Sequence, residues 1–295
     1  MGTYSIRDLE HLSGIKAHTL RIWEQRYNII RPKRTDTNIR YYDAEDLKLV
    51  LNISVLNGHG YKISKIAQMS PEAMQQEVLQ LARQATGYID QVQSLTISMI
   101  DLDEDRFERI MSTNILQFGF EKTMLNVVYP FLHKIGVLWQ TGAINPAHEH
   151  FITNLIRQKL IVAIDAQVVP RQGPVKTFVL FLPEGELHEL SLLFANYLIR
   201  SRHHRVVYLG QSLPFDDLVG ACRMHEPDFL FSIITTLPDA DGIQRYVTRL
   251  GEAFPQTKVL LTGYQVLAQP LDLPANVQLL SQIDELIRML ENKPL

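Results

Sequence analysis

Residues Lys176–Leu182 read KTFVLFL. A run this apolar, with no polar alternation, is a strand buried on both faces, and such strands belong to parallel sheets covered by helices. The pattern then repeats. His188–Ser201 reads as an apolar helix, Val206–Leu209 as a strand, Asp216–His225 as a helix and Phe229–Ile234 as a strand. Asp241–Glu252 reads as a helix, Lys258–Leu261 as a strand and Ser281–Glu291 as a helix. This alternation predicts a Rossmann-like parallel sheet over 173–295. Ligands in such sheets sit outside the C-terminal strand ends, here Pro183–Leu190, Gly210–Pro214, Ser232–Leu237 and Thr262–Gln265.

The rest of the chain carries no such alternation. Residues 73–172 read as helices at about 71–85, 87–100, 103–118, 120–136 and 146–167, joined by short loops, which predicts a helical bundle. Residues 1–72 are different again. Ser5 can cap a helix over 4–12, Ser13-Gly14 makes a turn, and His18–Tyr27 forms a second helix anchored by Leu20 and Trp23. Arg31–Asn38 is polar and turn-rich and leads into Ile39-Arg40-Tyr41-Tyr42, so two short strands would make a basic wing. Helices over 43–57 and 62–69 follow. The fold expected is therefore multidomain α and α/β: winged helix-turn-helix (1–72), central bundle (73–172), parallel sheet (173–295).

Charge singles out the first of these. Residues 1–70 hold 11 Lys/Arg against 7 Asp/Glu, while the whole chain is at −3. A basic head on an acidic body points to an anionic partner for the head. One cysteine, Cys222, excludes a disulfide framework and any multi-cysteine metal site. The start of the chain carries acidic residues in place of a secretory signal, and no apolar run of 18 residues occurs, so a cytoplasmic protein without a membrane partner is expected. Neither a Walker A sequence nor a Gly-rich dinucleotide fingerprint is present.

Tyr4-Ser5-Ile6, Thr19-Leu20-Arg21-Ile22-Trp23-Glu24, Arg40-Tyr41-Tyr42, Asp46-Leu47 and Gly60-Tyr61-Lys62-Ile63 together resemble the MerR-type winged helix-turn-helix over residues 3–70. That resemblance implies double-stranded DNA with an inverted-repeat operator. Lys16, His18, Thr19, Arg21 and Arg26 on the second helix are the candidates for the major groove, and Lys33, Arg34, Arg40 and Tyr41 on the wing are candidates for the backbone. A small helical domain with a solvated basic face is the plainer alternative.

Glu184-Gly185-Glu186-Leu187-His188-Glu189-Leu190-Ser191 follows the first strand of the sheet. A histidine there can offer one ring nitrogen to a metal while Glu186 holds the other. By itself a histidine beside glutamates is usually just solvated. The loop resembles, however, the Asp/Glu-x-His-x-x-Gly motif of cobalamin-binding domains, which implies that His188 is the lower cobalt ligand. Gly210, Ser232 and Gly263 stand near further motif positions of that family. Ser191, Ile234 and the residues beside Gly263 depart from it, which predicts a narrower channel for the nucleotide tail.

In the bundle, Trp139 and Glu149-His150 resemble the Trp-x9-Glu-His signature of light-sensing, adenosylcobalamin-dependent MerR regulators of the CarH/LitR type. The resemblance implies that these residues surround the adenosyl group. Gln140 departs from a histidine in that type, leaving His133, His148 or His150 as substitutes. The function implied is a DNA-binding regulator, a homodimer or homotetramer, controlled by cobalamin (adenosylcobalamin above all) and by light. Two alternatives stand beside it: a regulator whose C-terminal module is a cobalamin-free scaffold for oligomerisation or protein binding, and a corrinoid methyl carrier, to which a DNA-binding head is foreign.

Overall fold

A computed structural model describes residues 4–35, 38–84, 88–140, 144–167, 175–236 and 240–291. The chain divides into two compact units, Met1–Leu155 and Ile156–Leu295. The expected head and most of the expected bundle fall within the first of these units. The expected boundary at 172 lies outside the described residues.

In the first unit, α1 (Ile6–Ser13) opens on a reciprocal cap: Ser5 Oγ accepts the Asp8 N–H, and Asp8 accepts the Ser5 N–H. The left-handed Gly14 ends it. α2 (Ala17–Tyr27) is capped from outside itself, because Glu10 of α1 accepts the Ala17 N–H at 3.1 Å. β1 (Lys33–Arg34) and β2 (Arg40–Tyr41) pair antiparallel as the expected wing. Tyr4 and Tyr42, both fully buried, bridge the wing base to the N-terminus. α3 (Ala44–Gly58) and α4 (Ile63–Ile66) complete the head.

The bundle runs through α5 (Pro71–Gln84), α6 (Tyr88–Asp101) and α7 (Glu104–Phe118). The single helix expected over 120–136 is interrupted. α8 (Phe120–Thr123) passes into a π-helical turn, Met124–Val128, and then α9 (Tyr129–Gln140). Pro130 has no N–H to give to the preceding turn, so the ladder slips to the i→i−5 bond from Tyr129 to Met124. α10 (Pro146–Asp165) crosses the division between the units.

The second unit is the predicted sheet: β3 (Thr177–Pro183), α11 (Leu190–Ser201), β4 (Arg205–Leu213), α12 (Phe215–His225), β5 (Phe229–Ile233), α13 (Ala240–Ala253), β6 (Lys258–Thr262), α14 (Tyr264–Leu267), β7 (Val277–Leu279) and α15 (Ile283–Leu290). All the strands of this sheet are parallel, in the order β4-β3-β5-β6-β7. β7 and α14 were not expected; each is too short for a periodicity to show. The core joins Val179, Phe181, Leu230, Val259 and Leu261 of the sheet to Leu218, Val247 and Leu250 of α12 and α13. Strand order reverses between β3 and β5, the switch point at which doubly wound sheets bind ligands.

Candidate functional site

The loop after β3 and the loop after β5 meet at that switch point, and Glu186 joins them. Its side chain is 0% exposed. Oε1 accepts the backbone N–H groups of Leu187 (3.0 Å) and His188 (3.1 Å) and lies 2.6 Å from His188 Nδ1. Oε2 accepts the N–H (2.7 Å) and hydroxyl (2.6 Å) of Thr235 and the N–H (2.9 Å) and hydroxyl (3.0 Å) of Thr236. Burial alone would raise this carboxyl, but hydrogen bonds from Thr235, His188 and the two backbones outweigh it and hold the pKa at about 2.

An ionised carboxylate at 2.6 Å makes Nδ1 the protonated nitrogen of His188. Nε2 keeps its lone pair, makes no hydrogen bond among the described residues, and belongs to a ring that is 65% exposed. These donors also explain why α11 starts at Leu190 and not at the expected His188. The N–H groups of 186–189 are committed to Pro183, Glu186 and Leu187. The loop is tied again by Gly185 N–H to Ser212 Oγ (3.1 Å), and by Tyr208 and Gln211, which donate to Glu189 at 3.0 and 2.8 Å. A bulge at Leu209 turns Gly210 to φ +78 and lengthens β4 beyond its expected end.

Among the described residues, no group of three or more His, Cys, Asp or Glu could hold a metal ion. His188 is therefore a single donor, oriented from behind by a carboxylate. That suits a metal whose remaining ligands come from its own macrocycle. Ser232, in register between Phe181 and Leu261, is 0% exposed, and its Oγ has no partner among the described residues. Such a donor fits an acceptor brought by a ligand. Gly263 is also required by its own backbone surroundings. At φ +111, a Cβ there would collide with the backbone of Ile234, which bonds to Thr262 O at 2.8 Å. Ser191 sits half-buried in the first turn of α11.

In the first unit, Glu149 and His150 lie near the start of α10, with Glu149 Oε2 3.0 Å from Nδ1 of His150, whose side chain is 73% exposed. Beside them His148 Nδ1 is buried without a partner among the described residues, and burial lowers the ring's pKa. Trp139 and Gln140 end α9, but their side chains lie outside the described residues.

On the head, His18, Arg21, Arg26 and Arg40 are exposed, whereas Thr19 and Tyr41 are half-buried. Lys16 pairs with Glu10 at 3.2 Å, Lys33 pairs with Asp43 and Asp46, and Arg34 donates to Asn38 Oδ1 at 2.6 Å. Three of the expected DNA cations thus already have partners. Ile22, 51% exposed on α2, was missed. Thr235 and Thr236 were also missed, although they directly follow a predicted strand end.

Residues 4–73 match the family described as "MerR HTH family regulatory protein", and residues 91–163 match "B12 binding domain". The chain carries a MerR helix-turn-helix head and a B12-binding domain. It is homologous to two repressors of Myxococcus xanthus. The HTH-type transcriptional repressor CarH is 27% identical over 86% of this chain and 86% of its own. The HTH-type transcriptional repressor CarA is 29% identical over 77% of this chain and 74% of its own. The Methanosarcina barkeri monomethylamine corrinoid protein shares the fold, with a TM-score of 0.51 and 11% identity over 66% of this chain and 94% of that one. The B12-binding match spans α6 through most of α10. Among the described residues, no helix is long and apolar enough to cross a membrane.

Proposed function

We propose that this chain is a transcriptional regulator, not an enzyme, which binds an inverted-repeat operator through α2 and the wing and takes cobalamin as its signal. Adenosylcobalamin is the form proposed, and His188 the cobalt ligand. The observation that carries this reading is the Glu186–His188 pair at the switch point, with Nδ1 protonated against a buried carboxylate and Nε2 left exposed.

Each residue has a task. Glu186 fixes the tautomer and orientation of His188, and Thr235 and Thr236 keep Glu186 ionised. Ser232 offers its unpaired hydroxyl to the nucleotide tail. Gly210, Ser191 and Gly263 shape the strand ends around it. Trp139, Glu149 and His150 are proposed to hold the adenosyl group. When bound, adenosylcobalamin supplies a cobalt–carbon bond that light breaks. Gln140 is a poor cobalt ligand, so His148, with its unpaired ring nitrogen, is the bundle histidine proposed to respond there. The regulator is proposed to work in the cytoplasm as a homodimer or homotetramer. Ligand-linked assembly would raise or lower DNA affinity through multivalency.

The test is gel filtration of the purified protein after incubation with adenosylcobalamin in the dark, with spectra before and after green light. A corrin spectrum in the protein peak, changed by light together with the elution volume, is expected. A colourless protein peak with adenosyl-, methyl- and hydroxocobalamin alike overturns the proposal and leaves a DNA-binding scaffold.

A further inference from the structure

How the head senses the bundle is a separate question, and its answer rests on the function just proposed. Ser13 ends α1 at the turn before the recognition helix. Its Oγ donates to Leu9 O at 2.6 Å and accepts the Ile15 N–H at 3.1 Å. Its carbonyl accepts the Ser54 hydroxyl of α3 at 2.7 Å. Ser54 Oγ in turn accepts Gln93 Nε2 of α6 at 3.1 Å. Ser54 has one hydroxyl proton and gives it to Ser13, so Gln93 must present its amide N–H side. The relay therefore has one direction, from α6 through α3 to α1.

The two ends of this relay are buried and its middle residue, Ser54, is half-buried. Residues 91–100 of α6 are buried without a break, with Gln93 5% and Ser13 4% exposed. The same seam between head and bundle is only partly satisfied. Gln93 Oε1, Asn52 Oδ1 and Arg106 Nε are buried with no partner among the described residues. Asn52 and Arg106 line a cavity of about 410 Å³ together with Lys48 and Asp101. Lys48 of α3 is paired to Asp101 at the end of α6. A seam built for stability alone would be apolar, since replacing buried polar pairs by hydrophobic residues is often neutral or stabilising. A directional, half-satisfied polar seam fixes a geometry and leaves room for a second one.

We propose that the Gln93–Ser54–Ser13 relay is the positioning contact through which the bundle sets the turn ahead of the recognition helix, so that the state of the cofactor reaches DNA through α6.

The test compares full-length wild type with Ser54→Ala, Gln93→Met and Ser54→Thr. Amide hydrogen exchange over residues 13–20, without cofactor, reads the turn directly. It is expected to rise about fivefold or more in Ser54→Ala and Gln93→Met and to stay at the wild-type level in Ser54→Thr, which keeps the hydroxyl. DNA affinity is then measured by fluorescence anisotropy, on a duplex selected by wild type from random sequence, with and without adenosylcobalamin. The wild-type ratio of the two affinities is expected to be about 5- to 150-fold. It should fall to near one in Ser54→Ala and Gln93→Met, while adenosylcobalamin affinity, from visible absorbance, is unchanged. Unchanged exchange at the turn, or a retained ratio in both variants, overturns the inference and makes assembly alone the carrier of the signal. A wild type whose DNA affinity ignores adenosylcobalamin overturns the functional reading itself, and the inference with it. Should Ser54→Ala fail to fold, Gln93→Met decides.

Discussion

Glu186 and Arg106 are both buried charged side chains, and the two units treat them in opposite ways. Glu186, at the switch point of the sheet, has donors on both carboxylate oxygens from four residues, Leu187, His188, Thr235 and Thr236, which hold its pKa low. Arg106, in the seam between head and bundle, is 4% exposed, has no hydrogen-bond partner for Nε among the described residues, and is pushed down by burial. The difference separates two jobs. A carboxylate proposed to orient a cobalt ligand must stay in one place, and the chain surrounds it. A seam that passes a signal must be able to change, so the chain leaves it incomplete.

Removing the two side chains should therefore act in opposite directions. Glu186→Ala strands the Thr235 and Thr236 donors and is expected to destabilise the second unit by about 3 kcal/mol in urea unfolding at neutral pH. Its folded pKa lies below the ordinary carboxylate value of 4.5, so its contribution is complete above that value. It is lost as pH falls from about 4.5 towards 2. Glu186→Gln should flatten that acid limb. An unaltered acid limb would show the carboxylate to be less well held than its neighbours imply. Arg106→Met should stabilise the first unit by about 1 kcal/mol, read as a raised Tm. A lowered Tm would erase the contrast.

A smaller effect tests the head. Arg40 is exposed with no ion pair among the described residues, whereas Lys33 is engaged by Asp43 and Asp46. Arg40→Ala should lower the slope of log affinity against log salt by about one unit, and Lys33→Ala by less. Equal slopes would mean that DNA strips Lys33 from its carboxylates.

The architecture was largely legible because its signals are long. KTFVLFL and its successors predict a buried parallel sheet, and Ser5, Gly14 and the wing residues mark the head. Short or compensated features were not legible. β7 has three residues, and the π-helical turn depends on one proline inside an apolar helix. The site divides similarly. Glu186 and His188 stand out as a spaced pair. Thr235 and Thr236 do not, because nothing in a pair of threonines after a strand reveals that four donors will converge on one oxygen. The relay was invisible for the same reason: Ser13, Ser54 and Gln93 are common residues brought together across 39 and 41 positions. The close packing of Gly263 against the Ile234 backbone was likewise not legible in the sequence.

The most direct test of the account is a visible absorbance titration of wild type and His188→Ala with adenosylcobalamin in the dark. The account predicts a wild-type spectrum altered by histidine ligation and an affinity at least about 100-fold weaker in the variant, beyond the 10- to 100-fold typical of residues that only orient a ligand. Equal affinities and identical spectra would contradict it, because the pair at the switch point would then hold no cobalt.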